Sequence, residues 1–233
     1  MSTQAFGPFE SNADLIVYID FKSPYAYLAK DPVYAIAAEI GIEVDWRPLT
    51  LDIPSYLGSA RLDDKGKVVE SQRTPAQWAG VRYAYRDAKR YASLRNIRLL
   101  GTTKIWDSSL AGIGMTWAKT QGPGVLRGYL DRTYERFWKR ELDIEQLDVV
   151  RNVLREAGAN VDGFAEFATG PGRADHDATQ LAIFEAGIFG VPSFIVGGEL
   201  FWGREHLPMV RWLLAGQPGH APDIAYRHFG PAT

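Results

Sequence analysis

Cysteine is missing from the chain altogether. Its absence excludes disulfides, thiolate metal ligands and redox chemistry by the protein's own thiols, so any sulfur chemistry here needs sulfur that a ligand brings. Missing too is any apolar run close to the length of a membrane span, and the first residues show neither the basic nor the apolar segment of a secretory signal. The expectations are no membrane partner and a cytoplasmic location. Charge of one sign is not in excess: 26 Lys and Arg stand against 28 Asp and Glu, a formal net charge of -2, with no dense run of Lys and Arg. That balance predicts no nucleic-acid partner.

What is present is apolar material for a sizeable core, since 46% of 233 residues are hydrophobic, enough for one large domain or two intimately joined ones. Leu15 to Ile19 is a short unbroken apolar run rich in β-branched side chains, the pattern of a strand covered on both faces. Ser23-Pro24 follows as an N-cap and first-turn pair. Apolar residues then recur at three-and-four spacing from Tyr25 to Ile40, until Gly41 closes the helix as a left-handed cap. Pro32 inside this stretch predicts a kink and not a break. Ile42 to Arg47 alternates as a second strand. The result is a βαβ unit with Ser23 at the carboxyl end of its first strand, where open α/β sheets place ligands.

Residues 1–13 show no periodicity and read as a loose lead-in. Pro48 to Thr74, punctuated by Pro54, Gly58, Gly66 and the charged segment Arg61-Leu-Asp-Asp-Lys, reads as a long surface connection. From Pro75 to Gly187 the periodicity is helical throughout, with faces at Trp78, Val81, Tyr85 and Ala88, then Leu110, Ile113 and Trp117. Leu126 to Phe137 and Leu147 to Leu154 continue it. The block is too long for a crossover and too apolar for a linker, which makes 75–187 an inserted helical domain. Val191 to Val196 and Glu199 to Trp202 read as a hairpin about Gly197-Gly198, and Leu207 to Leu214 as a last helix before an irregular tail.

Three segments in this order carry a family resemblance. Asp20-Phe-Lys-Ser-Pro-Tyr-Ala-Tyr-Leu-Ala29 resembles the active-site segment of 2-hydroxychromene-2-carboxylate isomerases and kappa-class glutathione transferases. Phe189-Gly-Val-Pro-Ser-Phe194 and Phe201-Trp-Gly-Arg-Glu205 resemble the same group's later motifs. The resemblance runs from about residue 14 to residue 215. It implies an α/β, thioredoxin-like fold of the DsbA-like branch, formed by residues 14–74 and 188–216, with the inserted all-helical domain between them. It also implies glutathione as cofactor and a homodimer. By this similarity Ser23 contacts the glutathione sulfur, and a cis Pro192 sits beside it, leaving the Val191 backbone to pair with the cysteinyl part. Trp202, Gly203, Arg204 and Glu205 would hold the γ-glutamyl end, Glu205 standing where the family usually has Asp. Redox members of the branch carry a Cys-x-x-Cys pair where this chain has Ser23 and Ala26. Lys104-Ile105 replaces an Asn-Tyr pair that contacts the isomerase substrate, and Gly80 replaces a lysine.

Elementary chemistry leaves each residue a plainer role as well. A hydroxyl at a helix N-terminus donates to a thiolate while the helix end favours negative charge, yet Ser23 serves equally as a simple cap. Val191-Pro192 also suits an ordinary edge-strand start, and Arg204 and Glu205 a solvated first turn. Lys22 offers positive charge to a thiolate or a carboxylated substrate, against the commoner solvated lysine. Tyr25 and Lys104 join it on the substrate side, with Arg73 and Arg82 as weaker candidates for carboxylate recognition. His176 lies between Asp175 and Asp177, but adjacent positions do not converge on one ion, so a solvated charged turn and no metal are expected. His206, His220 and His228 show no ligand spacing either. Trp78, Tyr83, Tyr85 and Tyr91 read mostly as core, one or two of them lining an apolar cleft.

Three functions follow from these residues. The first is a glutathione-dependent isomerase of an aromatic or unsaturated carbonyl compound, in which a thiolate adds reversibly and leaves unchanged. The second is a kappa-like glutathione transferase that releases the adduct. The third is a non-catalytic thioredoxin-fold binding protein in which Ser23 only caps its helix.

Overall fold

Leu15–Ile19 forms strand β1, and all five of its residues are buried, which accounts for the unbroken apolar run. The computed structural model describes residues 7–63 and 65–223; the first six residues of the lead-in, Asp64 and His228 lie outside them. β1 pairs in parallel with β2 (Val44–Pro48) and antiparallel with β5 (Ser193–Val196), so that Val17 stands opposite both Trp46 and Phe194. β6 (Glu199–Trp202) closes the sheet in the order β2-β1-β5-β6. Gly197 and Gly198, at φ 58° and 82°, make the hairpin turn that joins β5 to β6.

Helix α1 (Pro24–Ile40) follows β1, capped by Ser23 and continuing through Pro32. Gly41, at φ 77°, returns its N–H to Ala37 O, and Ile42 N bonds the same carbonyl. This closure occupies Ile42, so β2 starts two residues later than the alternation suggests.

The expected long surface connection from Pro48 to Thr74 has regular structure of its own. It contains a short helix α2 (Ile53–Leu57) and a hairpin of β3 (Ala60–Leu62) and β4 (Val68–Ser71). β4 is exposed at every residue, so no buried face marks it in the sequence. Leu62 N donates to Thr103 O at 2.7 Å, which docks the hairpin on a later loop.

The long block consists of α3 (Pro75–Ser93), α4 (Ser109–Lys119), α5 (Pro123–Trp138), α6 (Leu147–Glu156), α7 (Phe164–Thr169) and α8 (Pro171–Glu185). Helical periodicity is therefore not continuous, because residues 94–108 and 139–146 are non-helical. Leu99, Leu142 and Ile144 in these loops are buried in the core, and their apolar character imitates a helix face. β5 begins at Ser193 and not at Val191, after a cis Val191–Pro192 peptide. A 3-10 turn at Arg204–His206 leads into α9 (Leu207–Leu214). One hydrophobic cluster runs from β1 and α1 through Tyr129, Tyr134 and Trp138 of α5 to Phe194 and Val210. Among the described residues no helix is long and apolar enough to cross a membrane.

Candidate active site

At its carboxyl end β1 turns sharply through Asp20, Phe21 and Lys22, where Ser23 N donates to Asp20 O at 3.0 Å. The enclosed Asp20 carboxylate accepts from Lys22 N at 3.0 Å and from Leu51 N at 2.8 Å, and lies 3.4 Å from Lys22 Nζ. Lys22 is thus a buried, paired cation and not the solvated lysine that base expectation gives. Helix α5 holds the same turn from behind: Tyr134 OH donates to Asp20 O at 3.2 Å, and Trp138 Nε1 to Phe21 O at 3.1 Å. Both side chains are fully buried, so their donors have few alternatives and the turn is rigidly placed.

Ser23 Oγ accepts from Ala26 N at 3.2 Å and donates to Val191 O at 3.4 Å. Pro24 has no N–H, which leaves the Tyr25 amide as the remaining donor of the first helical turn. The cis Val191–Pro192 bond lies against this turn, and Pro192 O accepts from Gly203 N at 2.9 Å. Tyr25 OH shares its one proton between Asp87 Oδ2 at 3.1 Å and Ala84 O at 3.3 Å, pinning α1 to α3. Burial, and then Asp87, raise the Tyr25 phenol well above its ordinary pKa.

A cavity of about 590 Å³ opens at this point. Lys22, Ser23 and Tyr25 face it from the start of α1, Val191 and Trp202 from the sheet end, and Ile53, Tyr56 and Leu57 from α2. Val81, Tyr85, Ile105 and Trp106 make its walls apolar, and Arg73 and Lys104 bring positive charge. Burial, followed by Asp20 and Asp52, pushes Tyr56 up to about 12, so it remains a proton donor at neutral pH. Lys104 is paired with Glu145 and lies 4.3 Å from the Trp106 ring centre. Arg73 Nε donates to Gly58 O at 3.2 Å and its guanidinium covers Trp78 at 4.9 Å, with no carboxylate partner among the described residues.

The structure therefore brings Ser23, Val191, Trp202, Lys22, Tyr25 and Lys104 to one cavity, together with Arg73. Pro192, Gly203, Arg204 and Glu205 do not line it. Pro192 precedes the same hairpin and Gly203, Arg204 and Glu205 follow its end, where Arg204 stacks 3.7 Å over the Tyr91 ring and Glu205 is exposed. Of the four aromatic residues read as core, only Tyr85 lines this cavity, while Tyr83 and Tyr91 are exposed. Arg82 faces a neighbouring cleft. His176 departs from expectation too: it is buried on α8 beside Gly112, with Nε2 3.1 Å from Thr50 Oγ1, and burial lowers its pKa. The spacing of α8 against α4 at a glycine leaves room for the imidazole, which local sequence does not report. Asp20, Tyr56, Tyr134 and Trp138 escaped the sequence reading. A carboxylate directly after a fully apolar strand, and two aromatic residues four apart on α5, were the available signals.

Among curated proteins, the chain is 25% identical over 193 residues to 2-hydroxychromene-2-carboxylate isomerase of Sphingobium xenophagum, covering 82% of this chain and 92% of that one. A solved structure of 2-hydroxychromene-2-carboxylate isomerase superposes with a TM-score of 0.63 at 21% identity, over 87% of this chain and 94% of that one. The cytosolic disulfide reductase DsbM of Pseudomonas aeruginosa, solved with GSH, superposes with a TM-score of 0.50 at 18% identity, over 80% and 87% of the two chains. These structural likenesses are likenesses of fold, and the fold is the thioredoxin-like one that the three motifs implied. A family model described as a DsbA-like thioredoxin domain matches residues 14–215, and the chain belongs to the DsbA-like thioredoxin domain family.

Proposed function

We propose that the protein is a glutathione-dependent isomerase acting on an aromatic or unsaturated carbonyl compound. The observation that carries this reading is the Ser23 hydroxyl at the start of α1, 3.4 Å from the Val191 carbonyl, at the floor of a largely apolar cavity in a chain with no cysteine. The relatives named as isomerases and the neighbour solved with GSH support it. A thiol seated there meets a hydroxyl donor and the positive end of a helix, and both favour its ionised form.

Glutathione, when bound, supplies a thiolate that adds reversibly to a conjugated carbon and leaves unchanged after rotation or ring opening. Ser23 donates to the sulfur, and the Val191 backbone pairs with the cysteinyl part. Lys22 and Arg73 hold a carboxylate or the oxygen on which charge develops, and Tyr56 can donate a proton to that oxygen. Trp202 to Glu205 extend the ligand site along the outer rim for the γ-glutamyl end. In this reading residues 14–74 and 188–216 form the glutathione-binding part and residues 75–187 select the substrate. We extend it to a cytoplasmic homodimer, which gel filtration and fractionation check.

Calorimetric titration of glutathione, followed by turnover of benzylidene pyruvates and chromene carboxylates, tests the proposal. Saturable binding and turnover without net glutathione consumption are expected. Stoichiometric consumption would make it a kappa-like transferase, and no binding at millimolar glutathione would leave only a capped helix and a binding protein.

A further inference from the structure

Past Tyr85 and Lys104 the first cavity adjoins a second cleft of about 560 Å³, and the two share Arg73, Val81, Tyr85, Thr102, Lys104 and Ile105. Six cations line this cleft: Arg73, Arg82, Arg86, Lys89, Lys104 and Arg140. They come from four places in the chain, namely the segment before α3, one stripe of α3, the 94–108 loop and the turn after α5. On α3, Arg82, Arg86 and Lys89 are spaced by four and three and so share a face. No Asp or Glu lines the cleft among the described residues.

The ion pairs in this region lead elsewhere, from Arg90 to Asp87 and from Lys104 to Glu145. Arg73 and Arg140 are instead oriented by carbonyls: Arg73 Nε donates to Gly58 O at 3.2 Å, and Arg140 Nε to Gly101 O at 2.7 Å. Such bonds fix the guanidinium groups without neutralising them. Like charges gathered on one concave surface repel, and the field they focus is relieved by an anion. In a chain of net charge -2 the rest of the molecule is correspondingly acidic, which opposes a long nucleic-acid backbone.

We infer that this cleft is a second subsite, continuous with the first, that takes a diphosphate group at the anionic end of the substrate. The inference rests on reading the first cavity as the substrate site. A carboxylate brings a single charge and a phosphate monoester about -1.5 to -2 at pH 7. Cations from four segments, five of them without an ion pair among the described residues, match a larger charge than either. Leu62 and Trp78 on the cleft wall offer apolar cover to whatever adjoins the phosphates.

The test is calorimetric titration of pyrophosphate, of ADP and of single-stranded oligonucleotides of increasing length at about 50 and 500 mM salt, with glutathione titrated separately. The three proteins are wild type, the triple variant Arg82→Gln/Arg86→Gln/Lys89→Gln, and an equal neutralisation on α5 and α6, Arg127→Gln/Arg132→Gln/Arg155→Gln. All three α3 residues are exposed, so the fold does not depend on them. The expected result is saturable binding of pyrophosphate and of ADP, weakened about tenfold or more by the α3 triple variant and by salt, and kept by the control variant. Glutathione affinity stays the same in all three. No saturable probe binding, an equal loss in the control, or tighter binding of a single-stranded oligonucleotide that grows with its length overturns the inference. Probe binding without glutathione binding keeps the subsite and removes the isomerase reading.

Discussion

The Ser23 hydroxyl and the Val191 carbonyl stand 3.4 Å apart, although 168 residues separate them in the chain. A serine hydroxyl has one proton to give and two lone pairs to accept with. Here one lone pair is committed to Ala26 N as the helix cap, and the proton is held only by the long contact to Val191 O. Capping and the proposed ligand contact therefore do not compete: the acceptor side secures the helix and leaves the donor side available to a sulfur.

Ser23→Ala separates the two roles by size. Loss of the cap costs about 1 kcal/mol of stability, read from urea unfolding. Loss of the donor costs on the order of 10²-fold in kcat with glutathione, with a smaller change in glutathione affinity. Equal isomerase turnover by the variant would leave Ser23 a cap alone.

Ser23→Cys asks where the ligand sulfur sits. A thiol at a helix N-terminus ionises readily, and the Cys-free background makes it the single protein thiol. Its thiolate attacks the disulfide of oxidised glutathione, forming a mixed disulfide and releasing one glutathione thiolate. Intact-mass measurement is expected to find one glutathione per chain within minutes. A cysteine placed instead at exposed Ser93 is expected to react more slowly, and equal rates would argue against a glutathione site at the start of α1.

How much of this was legible follows from where each signal resides. β1, α1 and their junction were readable because burial on both faces, a Ser-Pro cap and a terminal glycine are local facts. The later hairpin declared itself through Gly197-Gly198. The β3–β4 hairpin did not, since β4 buries nothing, and the 94–108 loop was masked by the apolar residues it lends to the core. Ser23, Val191 and Trp202, which line the cavity, are singled out by local motifs, whereas Asp20, Tyr134 and Trp138 shape the β1–α1 turn through contacts more than a hundred residues distant or through burial. The cationic cleft was illegible for the same reason: positions 104 and 140 meet α3 only in the folded chain, so a sequence without a dense basic run still makes one basic surface.

The buried Asp20–Lys22 pair predicts an asymmetric response to mutation. Asp20→Asn leaves Lys22 Nζ enclosed without its counterion and is expected to cost about 3 kcal/mol. Lys22→Met leaves the carboxylate with its two backbone N–H donors, from Lys22 and Leu51, and should cost less than half as much. Urea unfolding of the two variants decides it, and equal losses would assign the stabilisation to packing and not to charge.

His176 predicts a loss of stability as pH falls through the ordinary histidine value of 6.5. Burial, and then Arg173, lower its pKa below the ordinary value of 6.5, so the folded protein keeps the ring neutral where the unfolded chain has already taken up a proton. The unfolded state then binds more protons, and stability falls as pH drops from about 7 through 6.5 towards the folded-state value. Asp45 acts in a separate window: burial opposes its ionisation, but Lys119 and Arg47 outweigh that and hold it below the usual carboxylate value of 3.8. Its contribution is lost only at still lower pH. His176→Gln, which keeps a polar group near Thr50 but cannot titrate, is expected to flatten the dependence of Tm on pH between about 7 and 5 and to leave the fall below pH 4 in place. Melting curves across that range check it, and an unchanged slope between pH 7 and 5 would assign the acid sensitivity to another group.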